Sequence, residues 1–269
     1  MLTIGEYLKP KSVKEAYELL NSKKKTALIG GGAWIRMSPS RRISLAIDLS
    51  QAGLRYINDT DETIEIGAMT TFGDIDKSPI LQQYFSGIIP RSFQDIVGVQ
   101  LRNIVTIGGT VYSKYGFSDV ITALLVLNCK VVLHAKGELL LKDFLILPVS
   151  GKERDVLEKL VIDKEELKAA FQMMRNSRGD YAILNVAAAK KDKEFKIAVG
   201  ARPQRAMLAE KAMEFISNNP ISEETAAKAG EIASEELHLG NNSLGTSKYR
   251  KALCQVLVKR AILEVAHEN

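Results

Sequence analysis

The chain has 269 residues, 46% of them hydrophobic and 26% charged, with a formal net charge of +5. That supports one large or two modest cores, and the lack of any low-complexity tract argues against long disorder. The Lys and Arg residues are scattered, with Lys23-Lys24-Lys25 and Arg41-Arg42 the only short clusters. They read as a solvated face rather than a nucleic-acid stripe, and a mild positive excess also suits an anionic cofactor.

Ser12 and Glu15 form a capping-box pattern, and Val13, Ala16, Tyr17 and Leu20 follow at helical spacing. Thr26 to Ile29 reads as a short strand running into Gly30-Gly31-Gly32. Alternation predicts further strands at Leu45–Leu49 and Ile64–Ala68. Residues 86–98 carry Ile88, Ile89, Phe93, Ile96 and Val97 at helical spacing. A second glycine turn follows at Gly108-Gly109, and Ser118 is placed to cap a helix carrying Val120, Ile121, Leu124 and Leu125. A strand from Cys129 to Ala135 meets a turn at Lys136-Gly137. Strands are then predicted near 155–162, 168–175, 181–190 and 194–199, the last two joined by Lys191-Asp192-Lys193. From Pro203 onward the pattern is helical, ending on Leu253, Val256, Leu257 and Ala261.

Cys129 and Cys254 are the only cysteines, and neither belongs to a C-x-x-C pair, so this chain's cysteines cannot build an iron–sulfur or zinc site. They read as buried thiols in a reducing cytoplasm. Residues 1–6 do not read as a signal peptide. No apolar run approaches the ~20 residues of a membrane span. His134, His238 and His267 fall in no recognisable motif, and no side chain is expected to be catalytic or to hold a metal.

Three consecutive glycines after a strand remove every side chain that would keep a ligand from the backbone, and successive N–H groups can converge on an anion. Taken alone, a tight turn or close backbone crossing explains them as well. Asp48, 18 residues after Gly30, falls near the place of a ribose-binding acid. A Rossmann site is disfavoured by Ile35 at the third glycine position and by the short segment 38–42, which leaves little room for a crossover helix. No glycine-rich stretch ends in Gly-Lys-Ser/Thr, which excludes a P-loop. In the second segment, Thr106 and Thr110 offer hydroxyls for phosphate oxygens, and nearby Asp119 offers acceptors for ribose hydroxyls.

Together these segments resemble the FAD-binding subunit of the molybdenum hydroxylases, a group with xanthine dehydrogenases and aerobic carbon monoxide dehydrogenases. The resemblance runs in order along nearly the whole chain: Leu28–Trp34, Ile47–Ser50, Ile64–Thr71, Gln100–Thr110 (QLRNIVTIGGT, the most specific stretch), Ser118-Asp119 with Leu124-Leu125, and Ser247–Arg250.

The resemblance implies an α+β fold. Residues 1–163 would form an FAD-binding domain of two subdomains, of the PCMH-like type, and residues 164–269 a C-terminal domain of sheet plus helices. It implies that Ile29, Gly30, Gly31, Gly32, Ala33 and Trp34 face Thr106, Gly108, Gly109 and Thr110 across the FAD pyrophosphate. Asp119 would meet a ribose, Leu157 would lie near the adenine and Tyr181 beside the flavin ring. The implied function is electron transfer, from [2Fe-2S] clusters in a small partner subunit through FAD to NAD or another acceptor. A molybdenum–pterin centre would sit in a large partner subunit.

Three departures stand out. Ala33-Trp34 replace small polar residues, Thr110 replaces an asparagine, and Met173 stands near a family lysine, with only Arg175 and Arg178 to supply a nearby arginine. The segment between Phe144 and Glu153 is also short, so a reduced loop over the flavin is expected. Two other readings are a stand-alone FAD oxidoreductase and a non-catalytic scaffold subunit that has lost flavin.

Overall fold

The computed structural model describes residues 2–23, 25–35, 42–96, 98–148 and 154–267. The expected loop reduction between Phe144 and Glu153 and most of the segment 38–42 lie outside them. The chain divides into two compact units, each discontinuous in sequence. The first comprises Met1–Ile75, Gly98–Ser113 and Lys130–Ile162; the second comprises Asp76–Val97, Lys114–Cys129 and Asp163–Asn269.

The first unit holds two sheets. Strands β1 (Thr3–Leu8), β2 (Thr26–Ile29) and β3 (Arg42–Asp48) form an all-parallel sheet in the order β1-β3-β2. The helix Val13–Ser22 links β1 to β2. Ser12 caps it by accepting from Glu15 N at 3.2 Å, while Glu15 Oε2 accepts from Lys11 N at 2.8 Å. Ala16 and Leu20 are its buried face. The second sheet contains β4 (Ile57–Asp59), β5 (Thr63–Gly67), β6 (Cys129–Leu133), β7 (Gly137–Leu140) and β8 (Leu157–Asp163), in the order β4-β5-β8-β6-β7. Alternation in β5 and β6 buries Ile64, Ile66, Cys129, Val131 and Leu133. Lys136-Gly137 makes the expected hairpin turn, with Gly137 at φ 70.

The second unit contains a four-stranded antiparallel sheet, three helices that follow it in the chain, and the shorter helices Pro79–Gln83, Ile88–Phe93 and Asp119–Leu125. Strands β9 (Lys168–Met174), β10 (Leu184–Lys191), β11 (Glu194–Gly200) and β12 (Met207–Leu208) lie in the order β12-β11-β10-β9. The hairpin at Lys191–Lys193 forms as predicted, with Asp192 in the left-handed region. The helices Glu210–Ser217, Glu223–Glu236 and Ser247–His267 contribute Ala212, Ile216, Ala226, Ala229, Ala233, Leu257 and Val258 to a core shared with Val186, Ala188, Ile197 and Val199.

Two local expectations are corrected. The helix predicted over 86–98 spans only Ile88–Phe93, because Phe85, Ser86 and Gly87 take left-handed φ values of 56, 54 and 63, which no α-helix continues through. The second glycine turn is the opening of a helix, Ile107–Ser113.

Arg250 in the last helix is fully buried and, among the described residues, meets no carboxylate. It donates to the carbonyls of Ile183 (2.9 Å), Gly240 (2.8 Å) and Gly245 (2.5 Å) and to Asn242 Oδ1 (2.5 Å). Burial holds its pKa below the ordinary arginine value. One guanidinium thus ties the loop before the helix to the start of β10.

Candidate functional site

The first-unit site starts where a ladder ends. Strands β2 and β3 pair in parallel as far as Ile29 opposite Asp48, so Gly30 leaves the sheet at its carboxyl edge. Gly30, Gly31, Gly32, Ala33 and Trp34 are half-buried. Gly32 has a φ of 74, a conformation that L side chains rarely adopt. Among the described residues, nothing accepts a hydrogen bond from the N–H groups of Gly30, Gly31, Gly32 and Ala33. Four consecutive, half-buried donors without an acceptor among the described residues fit an anion with several oxygens, such as a diphosphate.

The two glycine segments meet. A Cβ on Gly31 would lie 1.4 Å from the Ile104 carbonyl oxygen, and one on Gly30 would lie 2.5 Å from Thr106 Oγ1 and 3.7 Å from Gly109 Cα. Gly31 is therefore fixed by a close backbone crossing, the plain reading that the sequence left open. Gly108 packs on the end of β5, where a Cβ would meet Ala68 O at 2.5 Å. The N–H groups of this segment are taken by the chain: Gly108 N by Ala68 O (2.9 Å), Gly109 N by Thr106 Oγ1 (3.2 Å) and Thr110 N by Thr106 O (3.1 Å). The donors of the cradle therefore belong to residues 30–33, and residues 104–109 form the wall that shapes it.

Thr106 is held through Thr71 by two side chains that the sequence reading did not single out, Asp74 and Arg55. Thr106, only 3% exposed, bridges to Thr71. Asp74 accepts from Thr71 N (2.9 Å) and Thr71 Oγ1 (2.8 Å), and from Arg55 Nε (2.9 Å) and Nη2 (2.8 Å). Burial pushes the Asp74 carboxyl up, but Arg55 and Thr71 outweigh it and hold the pKa at about 2. Asp48 does not take the ribose-binding place of a Rossmann acid. Its carboxylate accepts from Tyr7 Oη and from Ser50 N, and these with Lys9 hold its pKa below the ordinary value against the upward push of burial. Leu157 is buried at the start of β8.

In the second unit, Ser118 caps the helix Asp119–Leu125 through Ile121 N at 3.4 Å. Asp119 is 5% exposed, and its two oxygens accept from Arg175 Nη2 (2.7 Å) and Asn185 Nδ2 (2.5 Å). Burial pushes its carboxyl up, and Arg175 and Asn185 pull against that. Tyr181 stands 45% exposed between β9 and β10, with its ring on Phe117. Of the two arginines near the family's arginine position, Arg175 is buried on Asp119, and Arg178 is an exposed partner of Asp95 at 3.2 Å. A signal for this network was present in the sequence: Asp119 is the lone charge in an otherwise apolar stretch from Val120 to Leu127.

Among the described residues, no group of three or more His, Cys, Asp or Glu side chains could hold a metal, and no helix is long and apolar enough to cross a membrane.

A half-buried backbone cradle beside a buttressed glycine wall is a class of site suited to an anion with several oxygens. Residues 3–162 match the family described as the FAD binding domain in molybdopterin dehydrogenase, and residues 169–265 match the CO dehydrogenase flavoprotein C-terminal domain. The chain belongs to this family of FAD-dependent oxidoreductase subunits. It is 28% identical to the glyceraldehyde dehydrogenase medium chain of Sulfolobus acidocaldarius over 97% of this chain and 98% of that one. It is 25% identical to the nicotine 6-hydroxylase medium subunit of Paenarthrobacter nicotinovorans, over 96% of each. The fold is that of a chain of reconstituted CO dehydrogenase from Oligotropha carboxidovorans, with a TM-score of 0.90 at 20% identity and full coverage of both chains. The expected α+β architecture of an FAD-binding domain followed by a C-terminal domain is therefore correct.

Proposed function

We propose that this chain is the FAD-carrying subunit of a molybdenum hydroxylase complex, taking electrons from [2Fe-2S] clusters of a partner and delivering them to NAD or another acceptor. The observation that carries the reading is the run of four N–H donors at Gly30–Ala33 that find no acceptor among the described residues, walled by Thr106 and Gly109. When bound, FAD supplies the redox chemistry that joins one-electron cluster donors to a two-electron acceptor. The chain's residues bind and orient it. The cradle N–H groups donate to the pyrophosphate, with Thr106 fixing the wall and the Thr110 hydroxyl offered to phosphate oxygens. Leu157 is assigned to the adenine end and Tyr181 to the flavin ring. The relatives' names as medium chains and subunits support assembly with a large molybdenum–pterin subunit and a small cluster subunit.

The test has two arms. Flavin released from the freshly purified native complex is identified by chromatography, with FAD expected; FMN alone or no flavin refutes the reading. Gly109→Val is the variant arm. Its Cβ meets only Thr106 Oγ1, at 2.9 Å, so it displaces the wall threonine while leaving the sheets alone. Loss of FAD with an unchanged far-UV circular dichroism spectrum is expected, and full FAD occupancy in the variant removes this wall from the site.

Electron delivery is tested by anaerobic mixing. An organic substrate should bleach the flavin only when the cluster and molybdenum subunits are present. Bleaching by that substrate with this chain alone would establish a self-contained oxidoreductase instead.

A further inference from the structure

Three aromatic rings in the second unit pack against one another, and two of them are exposed. Tyr115 and Phe117 stack with centroids 4.9 Å apart and planes 13° from parallel, and Tyr181 packs on Phe117 at 4.7 Å and 44°. Yet Tyr115 is 40% and Tyr181 45% exposed. Exposed rings at such places in a chain are ordinarily free to swing between rotamers, so something must hold the backbone beneath them.

That support is a buried polar group directly behind the rings. Arg175, its side chain 8% exposed, donates in three directions: Nη2 to Asp119 Oδ2 at 2.7 Å, Nη1 to the Asp180 carbonyl at 2.6 Å and Nε to Met173 Sδ at 3.1 Å. Asp119 is held in turn by Asn185, whose Oδ1 accepts from Thr122 Oγ1 at 2.8 Å. Asp180 is the residue before Tyr181, and Asp119 lies two residues after Phe117. One guanidinium therefore pins both backbone segments that carry the stacked rings. A buried ion pair is a weak way to add stability, since an apolar cluster of the same volume does as well or better; its distinctive use is to fix one arrangement. The planar fork suits this task because it reaches separate acceptors from a rigid frame, which a lysine ammonium does not.

We propose that Arg175, with Asp119, is a positioning residue that holds Tyr181, Phe117 and Tyr115 as a pre-formed platform for a planar heteroaromatic ring, the flavin ring in the reading above. Asp119 then serves through Arg175 and Asn185 rather than by touching a ribose. The ring assignment rests on the FAD reading; the positioning of the platform does not, so the experiment treats them separately.

Near-UV circular dichroism of the full-length apoprotein reads the order of the rings without any cofactor. Arg175→Lys is expected to lose the part of the tyrosine band that Tyr181→Ala also loses, with far-UV spectrum and melting temperature close to wild type. An unchanged band in Arg175→Lys, beside a reduced band in Tyr181→Ala, overturns the proposal. Should Arg175→Lys fail to fold, the paired Asp119→Asn/Arg175→Gln protein, which leaves no buried charge, takes its place with the same expectation. In the FAD-loaded protein, Arg175→Lys should retain flavin stoichiometry but shift the visible circular dichroism and the flavin midpoint potential, and Tyr181→Phe, which keeps the ring, should cause neither change. Unaltered flavin spectra and potential in Arg175→Lys refute the ring assignment. A wild type that takes up no FAD refutes the FAD reading, while the apoprotein arm still decides whether Arg175 orders the rings.

Discussion

The two units organise their chemistry in opposite ways. The first presents backbone: residues 30–33 offer N–H groups, and Gly31 and Gly108 leave no room for a side chain where segments cross. The second relies on side chains, with Arg250 and Arg175 each buried and each tying together segments distant in sequence. A backbone site fails by steric intrusion, and a side-chain site fails by leaving partners without a donor. The two should therefore break differently.

The largest expected effect is at Gly31. Its substitution by alanine places a methyl group 1.4 Å from the Ile104 carbonyl oxygen, which no rotamer relieves. We expect FAD binding to vanish and stability to fall by about 3 kcal/mol, the upper part of the overpacking range. Flavin content and urea denaturation measure the two losses, and wild-type values for both would disprove the close crossing of the two glycine segments.

Arg250→Met should come next. It takes the guanidinium donor from the buried Ile183 carbonyl and the part-buried Gly240 carbonyl, while Gly245 O and Asn242 Oδ1 still accept from Asn242 N and Leu244 N, at a cost of about 2 kcal/mol in stability. FAD content per folded molecule should remain near wild type, since the cradle residues are untouched. A selective loss of flavin from a stably folded Arg250→Met protein would contradict this division of labour.

The smallest effect is Asp74→Asn. The Asp74 pKa, at about 2, lies below its ordinary value of 3.8, so its stabilisation is full above the ordinary value and is lost as pH falls toward 2. Because the side chain is partly exposed, that stabilisation is on the order of 1 kcal/mol near neutral pH. Denaturation curves of wild type and variant should differ at neutral pH and converge in strong acid. A constant difference across that range would show that Asp74 acts through packing alone.

Much of this was legible in the chain because the signals were local. The Ser12 and Ser118 caps, the hairpins at Lys136-Gly137 and Lys191–Lys193, and the final helix from Ser247 are each set by a few neighbouring residues, and each forms. The glycine run was legible for a related reason: few chemistries other than close backbone approach call for three glycines together. What was hidden depends on contacts between distant segments. Gly108 and Gly109 looked like a turn because glycine is a poor helix former, yet the helix Ile107–Ser113 starts there because Gly108 alone fits against Ala68. Arg250 and Arg175 were two among 37 basic residues, and nothing in their immediate neighbours marks them as buried. The discontinuous make-up of the units was hidden for the same reason.

Both cysteines are sealed. Cys129 is 3% exposed and Cys254 fully buried, and burial pushes both thiols up, Cys254 to about 12. Almost no thiolate exists at neutral pH, so the native chain should be silent toward alkylating reagents. Cys254 lies in the last helix, inside the second unit, so iodoacetamide uptake at Cys254 becomes a clock for the opening of that helical core. The same silence lets a single cysteine introduced at an exposed position carry a spectroscopic label with neither native thiol removed.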